Sequence, residues 1–346
     1  MKLKGVCIGS GYFSQFHYEA WSRIPEVKIT ALASMDASQG HATAQKYRLR
    51  FYEDYQEMLL QERPDFVDII TPPDTHASIA TFAADLGIQV ICQKPITPNL
   101  SASVEMVNQV TPKVRMIVHE NFRFQPWHRE ILRQIRQERV GKLHHLSFRS
   151  RMGDGWADDA YLARQPYFRT YPRLLIYETG IHFIDLFRCH TMQEPAGVFA
   201  RLKRLNPEIK GEDAGIMMLD FEEPCTAMWD ADRYHDNNYP KDRYTFGEYL
   251  VEGEKGSLRL YADGKITWQA LGQPEAEMPY KHEDRGFAGD SCYLFQRHAV
   301  ESLLSGMPAE TEANIYLHNL KIQEAVYQSA ESRQYVSLAS DPQPRS

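Results

Sequence analysis

The chain has 346 residues, of which 43% are hydrophobic and 25% are charged, and its formal net charge is −7. These are ordinary globular proportions, and the length corresponds to about two domains. An acidic balance disfavours binding to a phosphate backbone, so no nucleic-acid partner is expected. No apolar stretch approaches the roughly 20 residues of a membrane helix, and the first apolar run is too short for a signal peptide. We expect a cytoplasmic protein with no membrane partner.

The five cysteines are widely spaced and include no C-x-x-C pair. An odd number without close spacing does not indicate a disulfide framework or a zinc ribbon. His119-Glu120 begins like a zinc-protease motif, but position 123 is Arg where a second histidine is required. No metal site is predicted.

Short runs rich in Val and Ile alternate with longer amphipathic stretches over the first 120 residues. The predicted strands are residues 3–8, 27–33, 66–71, 90–92 and 114–119. The predicted helices are residues 13–23, 38–47, 55–60, 75–86 and 100–110. Such alternation favours right-handed βαβ units and a parallel sheet. We predict an α/β domain with a doubly wound parallel sheet over residues 1–122.

The pattern changes beyond residue 123. One helix is predicted at 126–138, and helices at 290–304 and 313–332 follow near the end of the chain. The predicted strands between them are 143–149, 197–205, 214–221, 225–233, 248–252 and 257–261. Because turns rather than helices separate most of them, we predict an α+β domain over residues 123–346 with a large, open, mostly antiparallel sheet.

A glycine-containing turn follows the first predicted strand and opens a helix. Gly9 and Gly11 form G-x-G-x-x-S with Ser14, the dinucleotide-binding pattern with its last glycine replaced by another small residue. Gly9 permits the tight turn, Gly11 permits close approach of a pyrophosphate, and the helix N-terminus supplies N–H groups. We predict a dinucleotide site that includes Tyr12 and Phe13, although the same turn also occurs without ligands.

The end of the second predicted strand bears on the choice between NAD and NADP. An acid that binds the ribose is expected about 20 residues after the turn, where this chain has Ser34 and, two residues on, Asp36. No Lys or Arg occurs between Ser34 and Gly40 to pair with a 2′-phosphate. The sequence favours NAD, and NADP remains the alternative.

Two further polar segments follow predicted parallel strands. Thr71, Pro72, Pro73 and His76 follow the 66–71 strand, and Gln93-Lys94 follows the 90–92 strand. Open α/β sheets bind ligands at the carboxyl ends of their strands, so both segments are predicted to line the same site. On composition alone, Lys94 would be a solvated surface lysine.

The order of these motifs resembles that of the Gfo/Idh/MocA family of sugar and polyol oxidoreductases. The resemblance extends over nearly the whole chain and rests on six segments. They are GSGYFS at 9–14, TPPDTH at 71–76, QKP at 93–95, NFR at 121–123, RVGKL at 139–143 and ETGIHFID at 178–185. It implies a Rossmann domain, a second domain for substrate binding and oligomerisation, and hydride transfer between an aldose or polyol and nicotinamide. It also implies a homodimer or homotetramer.

The resemblance further implies the roles of individual residues. Lys94 and His182 correspond to the family's catalytic lysine and histidine, whereas Gln93 and Glu178 stand where the family usually has Glu and Asp. His182 would be the general base, Lys94 would bind the same hydroxyl and Glu178 would orient the imidazole. Gln93 and Asn121 would join the cofactor site, and Arg123 and Asp185 would contact substrate. Tyr167, in the aromatic-rich segment between 151 and 188, is a further candidate for substrate binding if that segment forms a sugar pocket. If helical, residues 178, 182 and 185 would share one face, which is also typical of an exposed polar stripe.

Aromatic and arginine residues are dense between 151 and 188 and indicate either a packed core or a sugar pocket. The segments QPYF at 165–168 and PRLLIYETG at 172–180, with His182, are similar to those of D-apiose dehydrogenases within this family. That similarity implies oxidation of a branched aldose to a lactone. The alternatives are an inositol or polyol dehydrogenase, an NAD-dependent lyase or glycosidase with redox-neutral chemistry, and a non-catalytic dinucleotide-binding regulator.

Overall fold

The chain forms two compact units in the computed structural model, which describes residues 2–221, 224–241 and 243–338. The first unit contains Met1–Phe124 and Asp290–His318. The second contains the described residues of Gln125–Gly289 and residues 319–338.

The helices and strands are numbered here in chain order. The helices are α1 (Ser14–Trp21), α2 (Ala37–Tyr47), α3 (Tyr55–Glu62), α4 (Pro73–Asp85), α5 (Leu100–Val110), α6 (Pro126–Arg136), α7 (Ile181–Thr191), α8 (Ser291–Ser305) and α9 (Ala313–Ser332). The strands are β1 (Leu3–Ile8), β2 (Val27–Ala33), β3 (Arg50–Tyr52), β4 (Phe66–Ile69), β5 (Gln89–Gln93), β6 (Met116–His119), β7 (Leu143–Arg151), β8 (Gly197–Lys203), β9 (Ala214–Asp220), β10 (Thr226–Asp232), β11 (Glu248–Gly253), β12 (Gly256–Leu260), β13 (Ile266–Ala270), β14 (Ala276–Glu277) and β15 (Val336–Ser337). Short 3₁₀ turns lie at Phe122–Phe124 and Pro166–Arg169, and a π-helical turn lies at Leu175–Gly180.

The first unit is built on a six-stranded parallel sheet in the order β3-β2-β1-β4-β5-β6. This is the order of a dinucleotide-binding fold, and it confirms the predicted doubly wound sheet. Every residue of β4 and of β6 is buried, as expected for parallel strands covered on both faces. Strand β3 was missed because its three residues are too few for a periodic signal.

Helix α8 lies in the first unit, whereas the sequence assigned residues 290–318 to the second domain. Phe295, Ala299 and Val300 are buried in the same hydrophobic core as Trp21 of α1. A salt bridge between Arg23 and Asp290 joins the ends of the two helices. The apolar stripe of α8 is therefore buried against elements nearly 270 residues earlier, a pairing that no local pattern reveals.

The second unit is built on a nine-stranded sheet in the order β14-β13-β12-β11-β7-β10-β9-β8-β15. All neighbouring strands are antiparallel except β7 and β10, which are parallel. The central part of one face is buried at Phe148, Trp229 and Tyr249 and packs on α7, where Phe183 stacks on Trp229 at 4.6 Å between ring centroids. This confirms the predicted open, mostly antiparallel sheet.

Within the described ranges, none of the helices has the length and apolar character that a bilayer span requires. All five cysteines are free thiols, and those at positions 7, 92, 225 and 292 are buried. In the same residues, no cluster of three or more His, Cys, Asp or Glu side chains is arranged to hold a metal ion.

His128 on α6 is a buried histidine in an aromatic environment. Its ring lies 6.1 Å from that of Phe148, 5.9 Å from that of Tyr249 and 5.7 Å from that of His190. Neither ring nitrogen has a hydrogen-bonding partner among the described residues. Burial, and secondarily the proximity of His190, lowers the pKa of His128 well below its ordinary value. The folded chain therefore holds this imidazole neutral.

We expect stability to fall as the pH is lowered below about 6.5, because the unfolded chain then binds a proton that folded His128 does not. The slope contributed by this one group is about 1.4 kcal/mol per pH unit, and it vanishes at higher pH where both states are neutral. Urea unfolding of the chain and of His128→Phe between pH 5.5 and 7.5 measures it (roughly one unit either side of the ordinary pKa).

The control is His144→Gln, at an exposed position on β7. In His128→Phe, the free energy of unfolding should fall less steeply as the pH is lowered (the acid limb of the stability curve). His144→Gln should keep the acid limb of the parent chain. Equal acid limbs for the parent and His128→Phe would contradict the assignment.

Candidate active site

The glycine turn after β1 is set by one close backbone approach. Gly9 has φ +117°, and a Cβ there would lie 2.7 Å from the carbonyl oxygen of Ile70, which follows β4. The Tyr18 hydroxyl donates to the Gly9 carbonyl at 2.9 Å, and the Ser14 hydroxyl donates to the Gly11 carbonyl at 2.7 Å. In contrast, a Cβ on Gly11 would meet no protein atom within 4 Å. Packing therefore requires glycine at position 9 but not at position 11.

The end of β2 is tied to the glycine turn by two hydroxyl groups. Ser10 Oγ lies 2.7 Å from Ser34 Oγ, and the Asp36 amide donates to Ser34 Oγ at 3.2 Å. Asp36 also caps α2, since its Oδ1 accepts from the amide of Gln39 at 3.0 Å. Ser34 and Asp36 thus lie at the carboxyl end of β2, as predicted. Ser10, which the sequence motif did not single out, links this strand end to the glycine turn.

His76 fixes the two loops that follow β4 and β5. It is fully buried on α4, with Nε2 2.7 Å from the Thr71 carbonyl oxygen and Nδ1 3.1 Å from that of Ile96. Thr75 also donates to the Thr71 hydroxyl and to the Pro72 carbonyl. Both ring nitrogens of His76 face backbone carbonyls, so the structure places it beneath the predicted site as a support for the loops.

Lys94 lies directly after β5, and its backbone amide donates a hydrogen bond to Oε1 of the preceding side chain, Gln93, at 3.1 Å. Both side chains are partly buried. Asn121, predicted at the cofactor, is buried and donates to Ser291 Oγ at 2.8 Å. Arg123, predicted at the substrate, is 8% exposed and lies 3.6 Å from a Glu310 carboxylate oxygen. These last two contacts lie wholly within the first unit.

Glu178 lies in the π-helical turn Leu175–Gly180, and α7 begins only at Ile181. The premise of one regular helix from residue 178 is therefore wrong, because the wider π turn changes the angular spacing between Glu178 and His182. Distant residues satisfy the first N–H groups of the turn. Glu212 accepts from the amides of Leu175 and Ile176, and the Tyr327 hydroxyl accepts from the Tyr177 amide and donates to Glu212.

His182 and Asp185 lie on α7 and are almost entirely buried. Asp185 Oδ1 accepts from Asn319 Nδ2 at 2.7 Å, and Asn319 Oδ1 in turn accepts from Arg188. Arg188 is also paired with Glu194. Asp185 thus belongs to a buried polar chain that anchors α7 to α9. Its member Asn319 lies within helix α9 and belongs to no motif from which it could have been predicted.

Tyr167 lies on the 3₁₀ turn of the loop that follows β7 and is 47% exposed. Partial burial raises the pKa of its hydroxyl, and the negative charge of Glu178 adds to that rise. Its ring lies 5.4 Å from that of Tyr171, which is 5.8 Å from that of Tyr177. The structure thus brings the predicted substrate residue Tyr167 into electrostatic range of the predicted catalytic residue Glu178.

Both units match family models. Residues 3–122 match the oxidoreductase family with an NAD-binding Rossmann fold, and residues 128–259 match the GFO/IDH/MocA C-terminal domain. The chain belongs to the Gfo/Idh/MocA oxidoreductase family. It is therefore an oxidoreductase that uses NAD, and the predicted family resemblance is confirmed.

Among the relatives of this Gfo/Idh/MocA oxidoreductase are two D-apiose dehydrogenases. That of Paraburkholderia graminis is 32% identical over 98% of this chain and 90% of the relative, and that of Rhizobium rhizogenes is 28% identical over 98% of each. An oxidoreductase from Agrobacterium radiobacter, solved in complex with NAD+, L-tartaric acid and magnesium, superposes with a TM-score of 0.88. It is 26% identical and covers 97% of this chain and 98% of its own.

The contrast between the two glycines gives a paired prediction. Gly9→Ala should lower the free energy of unfolding by about 2 kcal/mol or more, because it adds a backbone clash and an unfavourable φ. Gly11→Ala should leave stability within about 0.5 kcal/mol of the parent chain and weaken NAD binding at least tenfold, because its methyl group would occupy the approach of the pyrophosphate. Urea unfolding and calorimetric titration with NAD measure the two effects.

Proposed function

We propose that this enzyme is an NAD-dependent aldose dehydrogenase of the D-apiose type. The observation that carries the proposal is the similarity to two D-apiose dehydrogenases over 98% of the chain. A sugar as the substrate class is the common element of that similarity and of the family. The reaction removes a hydride and a proton from the anomeric C–H and O–H of the aldose and gives a lactone, NADH and a proton.

The first unit fits a dinucleotide. The turn at Gly9 directs the start of α1 toward the edge of the sheet, and the uncrowded position of Gly11 admits a pyrophosphate. Ser34 and Asp36 lie where the adenosine ribose would bind, and the Asp36 carboxylate would repel a 2′-phosphate. Tyr12, Phe13 and Ser14 with Thr71, Pro72, Pro73, Gln93, Lys94 and Asn121 complete the proposed cofactor site, with His76 beneath it.

The catalytic roles rest on the chain's own ionisable groups. His182 accepts the hydroxyl proton of the substrate, a task that suits an imidazole near neutral pH. Lys94 donates a hydrogen bond to the same oxygen and stabilises its developing negative charge. Glu178 orients the imidazole. When bound, NAD accepts the hydride from the carbon.

Three further side chains are proposed to contact the sugar hydroxyl groups and ring. The Tyr167 ring is half-exposed and suits stacking on a sugar. Arg123 carries a guanidinium group that donates hydrogen bonds and Asp185 carries a carboxylate that accepts them, and both groups suit the hydroxyl groups of a sugar. We place the reaction in the cytoplasm, where NAD is abundant and thiols stay reduced; fractionation of native cells would test that placement.

We expect His182→Ala to lower kcat by about 10²–10⁴ with unchanged NAD affinity, because it removes only the proton acceptor. The measurement is the absorbance of reduced nicotinamide during turnover, with calorimetry for NAD binding. His144→Ala, at an exposed site on β7, is the matched control and should turn over like the parent enzyme. An undiminished kcat in His182→Ala would contradict the role of the base.

A substrate panel decides among the functional alternatives. NAD and NADP are compared with D-apiose, other aldoses and inositols, and products are identified together with the absorbance. NADH formed with D-apiose supports the proposal, and NADH formed only with an inositol identifies a polyol dehydrogenase. A cleaved product without net NADH identifies a redox-neutral lyase or glycosidase. NAD binding without any product identifies a regulator.

The outer face of the second-unit sheet supports a homo-oligomer. A row of register partners crosses five strands on this face and is mainly apolar. Its members are Phe199, Met218, Met228, Ser147 and Leu250, and all are only half-buried. The adjacent row contains charges of both signs at Arg201, Asp230, Arg149 and Glu248, with the exposed Ile216 between the first two. An apolar stripe beside charges of both signs is self-complementary, so we propose that two copies pair through this face in a homodimer, which is also the building unit of a homotetramer.

We expect Met228→Glu to weaken this association at least tenfold, because it places a charge in the centre of the apolar row. Light scattering after size exclusion measures the mass of the assembly. Met307→Glu, at an exposed methionine of the first unit, is the control and should keep the parent mass. A parent chain that is monomeric at micromolar concentration would contradict the proposal.

A further inference from the structure

Arg233 is a buried arginine directly after β10 that no part of the proposed mechanism uses. It is 3% exposed. Because β10 runs parallel to β7, residue 233 lies at the same sheet edge as the start of the long loop after Arg151. The Gly155 amide donates to the Arg233 carbonyl at 2.7 Å, so the two chain segments are joined by backbone as well.

The Arg233 guanidinium holds the loop of residues 152–171, here called the aromatic loop. Its Nη2 donates to Asp154 Oδ2 at 2.9 Å, and its Nε donates to the Tyr161 hydroxyl at 2.7 Å. The same Asp154 oxygen accepts from Arg164 at 2.9 Å. Burial alone would raise the pKa of Asp154, but the two guanidinium groups outweigh burial and hold it below its ordinary value. The ion pair is therefore fully charged at neutral pH.

Packing of the aromatic loop depends on the same group. The guanidinium carbon lies 5.2 Å from the ring centroids of both Tyr161 and Phe168. Phe168 is buried and directly follows Tyr167 in the 3₁₀ turn. A Cβ on Gly155 would lie 2.7 Å from the Tyr161 hydroxyl and 3.1 Å from Arg233, so the loop passes this point in close contact. Because Arg233 packs against Tyr161 and Phe168, it also fixes the position of Tyr167, which directly precedes Phe168.

The third guanidinium nitrogen of Arg233 reaches the turn that carries Glu178. Nη1 donates to Thr179 Oγ1 at 2.9 Å. Thr179 is buried, follows Glu178 and precedes His182 by three residues. One planar, permanently charged group therefore bonds at once to the aromatic loop and to the π-helical turn, a geometry that the three donors of a lysine cannot reproduce.

We propose that Arg233 is a positioning residue that couples the aromatic loop with the π-helical turn Leu175–Gly180 and so sets the sugar specificity of the enzyme. This inference rests on the proposed function for its substrate, but its geometry lies wholly within the second unit. A sugar that displaces Tyr167 shifts Glu178 through this group. Arg233 contacts no substrate itself and acts through Tyr161, Asp154 and Thr179.

Two conservative substitutions test the coupling without removing the charge. Thr179→Val deletes only the hydroxyl that Arg233 reaches on the turn, and Tyr161→Phe deletes only the one on the loop. Hydrogen exchange on the full chain with NAD bound should show backbone amides of residues 155–171 exchanging about fivefold faster in Thr179→Val. Unchanged exchange in that loop would overturn the proposal.

The kinetic arm is a double-mutant cycle on kcat/KM for the aldose. Each single variant should lower kcat/KM about fivefold, chiefly through KM for the sugar, with KM for NAD unchanged. Both substitutions weaken the same coupling through Arg233, which keeps its ion pair with Asp154 in each variant. The double variant should therefore lose clearly less than the roughly 25-fold of independent effects. A multiplicative loss would overturn the coupling.

Thr191→Val is the matched control, because the Thr191 hydroxyl donates to the Phe187 carbonyl within α7. It should leave both loop exchange and KM for the sugar as in the parent, even where its thermal midpoint falls as far as that of Thr179→Val. If the parent forms no NADH with any sugar, the proposed function fails, and the exchange experiment still decides the coupling. If the parent oxidises an aldose and Thr179→Val leaves the loop unchanged, only the coupling fails.

Discussion

The close approach of Gly9 to Ile70 is the contact on which the cofactor side of the molecule depends. It brings the carboxyl ends of β1 and β4 together with no room for a Cβ, and it sets the direction in which α1 leaves the sheet. Ser34, Thr71 and Lys94 follow the carboxyl ends of neighbouring strands. Because all six strands are parallel, these residues lie at the same edge of the sheet as the glycine turn. His76 then holds two of those loops from below through backbone carbonyls.

In the second unit, charged and polar groups lie inside a hydrophobic layer. Burying a charge is costly unless it is paired and hydrogen-bonded, and here each buried arginine is satisfied by several acceptors. Arg233 has Asp154, Tyr161 and Thr179, and Arg188 has Glu194 and Asn319. Both networks end beside the helix that carries His182. Such buried hydrogen-bonded networks rigidify their surroundings, which suits residues that are held in one orientation.

The π-helical turn joins these networks to the proposed chemistry. Regular helices leave their first N–H groups for water or caps, but Glu212 and Tyr327 satisfy those of this turn from elsewhere in the unit. Thr179 at its other end bonds to Arg233. The turn that bears Glu178 is therefore clamped at both ends, and π turns of this kind occur often at functional sites. A departure from helical regularity is thus stabilised at the turn that carries Glu178, the carboxylate proposed to orient His182.

The sequence by itself determined the parallel domain, the glycine turn, the family and most of the second sheet, because these depend on local periodicity and on short motifs. The strand β3, the parallel pairing of β7 with β10 and the place of α8 were decided only by tertiary structure. Each of them depends on partners distant in sequence or on too few residues to show a period. The same holds for the π turn, whose caps lie 36 and 150 residues away, and for Arg233, which as a lone arginine after a strand carries no motif. Long-range hydrogen bonds and burial, rather than local propensity, decide where such groups lie.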